Sequence, residues 1–448
     1  MYLAITDGTT TIALSGTSPV LGCTYYPQTP QRDSDGNYGD VTEDATVNLR
    51  GAAATIRATI NSIEALLQAA KLRQTTGAGS RVFALYKPVD ADATTYRSEV
   101  MDGRVLLSNE PTLRRFGDVN PTIRIGVIWT RAHWWEGDLT EVALSATGQT
   151  AATGGRAIVN DPAAGNWVHM GAAQVAGVLP TPAMIELTNT SGASKNLRKL
   201  FLGLNAYSDP PSFIHYLQGE ARLSGGSVVN AATHSGGQAL SFVLSGTPVT
   251  FAWTLTQANM QRTGGRRVRV VARFAGTSGP LYVTPQVRTS AGVALWTGDE
   301  ISIGPLLYEA WRDLGIVPLP PGGYDDTYGA HQIALVFRGT GLGELDILQL
   351  TTVDSYRYLE MPVPGVAVGN SATVVHDGIE GRAYVTTSGA RTGLPTSFGG
   401  PLLLQPATNQ RICILWQIHA GATAGVGDAP VGDTASVRLY YRPRRLTV

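Results

Sequence analysis

The sequence is short of charge, of cysteine and of long apolar runs. Charged residues make up 15% of its 448 residues, against about 25% in ordinary soluble domains. Lys and Arg total 34, and so do Asp and Glu. A balanced chain has no general attraction for nucleic acid or for an acidic membrane, and its weak self-repulsion favours packing against copies of itself. The C-terminal basic run, Arg442, Arg444 and Arg445, is expected to be an exposed tail end. Two cysteines, Cys23 and Cys413, do not make a disulfide framework in a chain this size and are read as small apolar side chains. No apolar stretch approaches the ~20 residues of a membrane span. Met1-Tyr2-Leu3 leads straight into the Asp7-Gly8 turn without a basic n-region, so synthesis and assembly in the cytoplasm are expected.

What is present is glycine, 52 residues, and a great deal of two-residue alternation. Low charge with abundant glycine suits sheets joined by tight turns. Length predicts roughly two to four domains. One stretch, Ala52 to Gln74, has helical period instead: Ile56, Ile60, Ile63, Leu67 and Ala70 recur on one face. After Gly77 no segment of similar length repeats that pattern.

Residues 1–140 read as a β-rich domain around that helix. Leu3–Ile5 and Thr11–Leu14 form a hairpin about Asp7-Gly8, Val47–Leu49 is a short strand, and Arg81–Lys87, Ser98–Leu107 and Thr122–Thr130 are strands. Residues 141–211 begin a second unit, with strands at Ala183–Asn189 and Arg198–Asn205, and Asp209-Pro210-Pro211 breaks it. Residues 212–354 read as a self-contained β-sandwich or jelly roll, with strands every 8–15 residues or so. Phe251, Trp253 and Leu255 face its core, as do Val268, Val270 and Phe274, while Arg267, Arg269 and Arg273 are expected outward. Residues 355–448 supply further strands that are expected to pair with 141–211. The fold class is therefore mainly β: an N-terminal β domain with one helix, then a discontinuous β-sandwich interrupted by a β jelly-roll insert. Such an insertion is cheap, because loop-closure cost grows slowly with length.

This organisation resembles the distal tail protein of long-tailed bacteriophages. Leu3-Ala4-Ile5-Thr6-Asp7-Gly8-Thr9 looks like the opening hairpin of such proteins. The lone helix and the strands closing at Arg131–Gly137 look like their ring domain. Leu179–Ala183 with Glu186–Asn189, and Gly400–Pro406 with Ser436–Tyr441, look like the two ends of their C-terminal sandwich. The resemblance implies a structural virion protein at the tail tip, assembled in the host cytoplasm. It would form a homohexameric ring joining tail tube protein to tail hub protein, with no catalysis, no nucleic-acid partner and no membrane insertion. Leu217-Gln218-Gly219-Glu220-Ala221 and Ser235-Gly236-Gly237-Gln238-Ala239 resemble the first strands of carbohydrate-binding jelly rolls. The implied partner of the insert is a host surface glycan.

Glycan binding needs an aromatic face with polar side chains beside it. Tyr282 lies opposite Leu281 and Val283, with Gln286 on its own face. Trp296 sits by the turn Thr297-Gly298-Asp299, and Tyr324 and Tyr328 lie in a Pro/Gly/Asp loop. Packing and ligand contact are both open for these loop aromatics. A structural calcium, which jelly-roll modules of this kind often hold, would be shared by Glu220 and Asp346, and Asp325-Asp326 is a second candidate. No other cofactor is expected. Glu309 and Asp313 fall on one face of a helical turn over Pro305–Leu314 rather than across a substrate. The seven histidines have no zinc spacing, and no GxSxG or Walker A sequence occurs. Arg266, Arg267 and Arg269 read as a solvated strand face. The rival to the tail reading is a soluble or secreted glycan-binding or glycan-active protein of several β domains.

Overall fold

The computed structural model describes residues 1–89, 94–107, 122–207, 216–255, 267–304, 310–319, 331–352, 355–361, 365–394, 397–419 and 432–448. It is mainly β, with one α-helix among the described residues. The chain forms two compact units. The first comprises Met1–Thr140, Ala176–Leu179 and Arg442–Val448, and the second Glu141–Val175 and Pro180–Tyr441.

The first unit is built on a nine-stranded sheet. Its main path runs Thr11–Ala13, Tyr2–Thr6, Val82–Lys87, Tyr96–Leu107, Thr122–Arg131, Val41–Arg50, Val20–Tyr25. Asp7 fixes the first hairpin, its Oδ1 accepting the N–H groups of Thr9 and Thr10 at 2.9 and 2.6 Å. The helix spans Ala53–Thr76 and buries Ile56, Ile63, Leu66, Leu67 and Ala70. It stops at Gly77, which adopts the left-handed conformation (φ 69°) and returns its N–H to Arg73. The helix settles on the strand Tyr96–Leu107 at Gly103, where a Cβ would lie 2.7 Å from the Leu67 Cδ2.

Two expectations fail in this unit, both because charges are paired inside it. The strand expected at Val47–Leu49 runs from Val41 to Arg50, since its inward alternation includes Glu43, a charged residue with no exposure. Arg131 donates to Glu43 Oε1 at 2.6 Å and to the Gln28 carbonyl at 2.9 Å, and lies over the Trp135 ring. The C-terminal arginines are not a solvated tail. Arg444–Arg445 pairs with Trp135–Glu136 as a strand. Arg444 donates to Glu136 at 2.9 Å and covers Trp134, Arg445 reaches the Tyr96 hydroxyl, and Arg442 reaches the Gly137 carbonyl.

The second unit contains two layers of sheet around one core, and a further β block. In one sheet Lys195–Tyr207 lies between Asn409–His419 and Ser355–Glu360; in the other Met184–Asn189 lies between Thr434–Tyr441 and Thr373–Asp377. Strands from both sides of the 216–352 stretch thus alternate within each sheet. The apolar layer between them includes Leu200, Leu202, Ile412, Ile414, Val437 and Leu439. Cys413 faces away from that layer, buried and unbridged.

Residues 216–352 close around a separate core that contains Phe251, Trp253, Val268, Val270, Phe274 and Phe337. Its longest strand, His331–Thr352, serves two sheets. The first half pairs with Val249–Leu255 and Leu281–Thr289, the second with Gln238–Ser245 and Arg267–Thr277. Gly339 and Gly341 lie where it passes from one to the other. A Cβ at Gly341 (φ 111°) would lie 1.8 Å from the Ser278 carbonyl, so the crossing requires glycine.

The other face of Arg267–Thr277 is expected to meet solvent; Arg267 does, but the arginines that follow are covered. Arg269 is half-buried, donating to Asp313 at 2.8 Å and lying over the Tyr356 ring. Arg273 is wholly buried. The reason is that Val271, Trp311 and Ile347 of this face pack against Phe201, Tyr356 and Leu415 of the adjoining sandwich. Asp313 also departs from the helical turn expected for it, because Ala310–Pro318 is a strand bonded to Arg267–Thr277. Arg266 and Glu309 lie outside the described residues.

Candidate glycan-binding site

The strand Leu281–Thr289 buries Leu281, Val283, Pro285 and Val287 and turns Tyr282, Gln286 and Arg288 the other way. Its neighbour Ala294–Thr297 pairs so that Gln286 stands opposite Thr297 and Val287 opposite Trp296. Residues directly opposite share a face. Trp296 therefore projects to the side opposite Tyr282 and Gln286, and the expected aromatic set is divided between two surfaces. Tyr324 and Tyr328 lie outside the described residues, as do Asp325 and Asp326.

On the outer surface the polar groups satisfy one another. Gln286 donates to Thr297 Oγ1 at 3.2 Å and accepts from Arg288 at 2.8 Å. Arg338, directly across from Tyr282, places its guanidinium 5.1 Å from the centre of that ring. It also forms a two-pronged pair with Glu300 at 2.8 and 2.7 Å. The Tyr282 ring is thus already covered by a cation.

On the inner surface Trp296 leans on the core while staying partly exposed. Its six-membered ring passes over Gly298, 2.6 Å from where a Cβ would stand, so a side chain there would displace it. Trp296, Pro285 and Ile301 line a cleft of about 380 Å³. Leu314 and Ile316 of the strand Ala310–Pro318 add to its lining, and Asp299 borders the cleft. Asp299 is exposed and forms no ion pair or hydrogen bond with a described residue. The sequence marks Asp299 only as part of a turn, and nothing in its spacing shows that Leu314 and Ile316 line the same cleft as Trp296.

The residues expected to share calcium have different surroundings. Glu220 lies in the short turn Gly219–Ala221, half-buried, with Oε2 lacking a partner and its carboxyl pushed up by burial. Asp346 is completely buried. Its carboxylate accepts from Arg273 and, at 3.0 Å, from the Ser235 N–H. Ser235 in turn donates its hydroxyl to Asp161 of the sandwich at 2.6 Å. Burial pushes the Asp346 carboxyl up, against the pull of Arg273 and of the Ser235 N–H. Asp346 is thus engaged by an arginine, and the described residues contain no group of three or more His, Cys, Asp or Glu placed to hold an ion.

No family model matches this chain, and no curated protein matches it. Among solved structures, the chain has 15% identity and a TM-score of 0.20 with TmCBM61 in complex with β-1,4-galactotriose, covering 33% of this chain and 99% of that one. It has 14% identity and a TM-score of 0.23 with a glycoside hydrolase family 43 arabinoxylan arabinofuranohydrolase from Bacillus subtilis in complex with cellotetraose, covering 75% and 69%. An isomalto-dextranase from Arthrobacter globiformis complexed with panose gives 12% identity and a TM-score of 0.21, covering 60% of this chain and 34% of that one. Scores this low carry no argument about function.

Proposed function

We propose that the chain is a non-catalytic structural subunit of a bacteriophage tail tip. In this reading it is a ring-forming distal tail or baseplate subunit that joins the tail tube to the hub, and its 212–354 segment takes up a host surface glycan. The observation that supports it is the sheet of the first unit, whose main path ends in two different edge strands, Thr11–Ala13 and Val20–Tyr25. Edge strands offer unpaired N–H and C=O groups to another chain. Two unlike edges on one subunit suit head-to-tail contacts, which close into a ring when the rotation per subunit allows. Leu21 and Tyr26, 58% and 75% exposed, add apolar surface at one of these edges. Repetition around a ring would turn weak single-site sugar binding into useful avidity.

The test is the mass and symmetry of the purified protein, by light scattering and negative-stain imaging. Six-fold rings are expected, and Leu21→Glu is expected to dissociate them without unfolding the monomer. A monomer that persists across the whole concentration range, and in the presence of tail tube and hub proteins, overturns the ring reading. The rival, a soluble or secreted glycan-binding or glycan-active protein, would then stand on the Trp296 cleft alone.

A further inference from the structure

We propose that the cleft between Ala294–Thr297 and Ala310–Pro318 binds a neutral saccharide, with Trp296 as its sugar-facing wall and Asp299 as its hydrogen-bond acceptor. This rests on the glycan-binding part of the function proposed above and assigns it to one place. Four features argue for it.

The size is right: about 380 Å³ falls within the ~300–1,000 Å³ common for small-ligand pockets. The walls are right as well. The C–H faces of a sugar ring are weakly apolar, and an indole ring backed by proline and aliphatic side chains offers a matching flat surface. The polar group is available. Asp299 has four lone-pair positions with no described protein donor, and a charged acceptor makes strong hydrogen bonds to hydroxyl donors. Finally, the charge selects: the cleft is bordered by a carboxylate and, among the described residues, by no cationic side chain. A uronate or phosphorylated sugar would meet repulsion there without compensation.

The same geometry argues against the other surface. A sugar stacking on Tyr282 would have to displace Arg338 and break its pair with Glu300. A lining with one aromatic ring among aliphatic side chains also fits a sugar better than a quaternary ammonium ion, which is held by several aromatic faces together.

The experiment is calorimetric titration of the full chain with neutral trisaccharides of glucose, galactose, mannose or xylose, with trigalacturonate, and with choline. At least one neutral trisaccharide is expected to bind, and trigalacturonate at least about tenfold more weakly. Trp296→Ala is expected to weaken binding by about tenfold or more, Asp299→Asn less, and Tyr282→Ala not at all. Because Trp296 also leans on the core, Asp299→Lys, at an exposed position, is the second variant. It should abolish neutral-sugar binding while leaving the circular dichroism spectrum unchanged. Sugar binding that survives Trp296→Ala and Asp299→Lys but is lost in Tyr282→Ala keeps the glycan reading and overturns this site. Binding of choline alone, or of no sugar at all, overturns both.

Discussion

The two sides of the 216–352 block hold similar chemistry in opposite states. Toward the sandwich, Arg273 and Asp346 are sealed from water and joined through Ser235 to Asp161, beside Trp311, Val271 and Ile347. At the cleft, Trp296 is half-exposed and Asp299 has no described partner. An aromatic ring and a carboxylate occur in both places. The difference is whether the groups already have partners inside the protein. Where they do, the cost of taking charge out of water is offset locally and the site is structural. Where they do not, the groups remain available to a ligand.

Breaking the sealed side should have the largest effect. Asp346→Ala leaves Arg273 buried without its carboxylate and is expected to cost about 3–5 kcal/mol, measured by urea unfolding of the full chain. The double change Arg273→Met with Asp346→Leu should recover most of that loss. If the single change costs nothing, the pair is not holding the two β layers together.

A buried ring with an unpartnered nitrogen sharpens the contrast. His376 is 2% exposed and its Nδ1 has no partner. Burial, with the nearby Arg357 charge adding to it, pushes the imidazole down to about 4. Its folded value thus lies below its unfolded one near 6.5. The unfolded chain then binds the proton first as pH falls, so the contribution of this histidine to stability is full above about pH 6.5 and is lost as pH drops toward 4. The loss should reach about 3 kcal/mol, and His376→Gln should flatten that part of the pH–stability curve.

Smaller effects are expected where only shape or a surface pair is involved. A Cβ at Gly203 would stand 2.1 Å from the Thr351 Cγ2, so Gly203→Val should force the sandwich strand off its neighbour at about 1–3 kcal/mol. Arg338→Ala removes an exposed pair with Glu300 and an exposed contact with Tyr282 and should leave the unfolding midpoint nearly unchanged. It should, however, uncover Tyr282. If sugar affinity rises in that variant, the outer surface competes with the cleft, and the contrast between the two sides must be redrawn.

By itself the sequence determined many of the elements, though it pointed to a helical turn where Ala310–Pro318 is a strand. The period of Ile56, Ile63, Leu67 and Ala70 defines the helix, and the two-residue alternation at Phe251–Leu255 and Ile333–Phe337 defines core strands. These signals are local, since one apolar face is enough to write them. Tertiary structure decided which polar faces stay wet. Arg273 alternates with Val270 and Phe274 as a solvent-facing residue would, yet a second sheet covers it, and alternation carries no information about what packs on the far side of a strand. Glu43 obscured its strand for the same reason, because its partner Arg131 is 88 residues away. The candidate site was half legible. Trp296 could be picked out by type and by its place near a turn. Its separation from Tyr282 depends on the register between two strands, and its meeting with Leu314 and Ile316 on how two sheets face each other. Those are long-range pairings, fixed only when the whole block closes around its core.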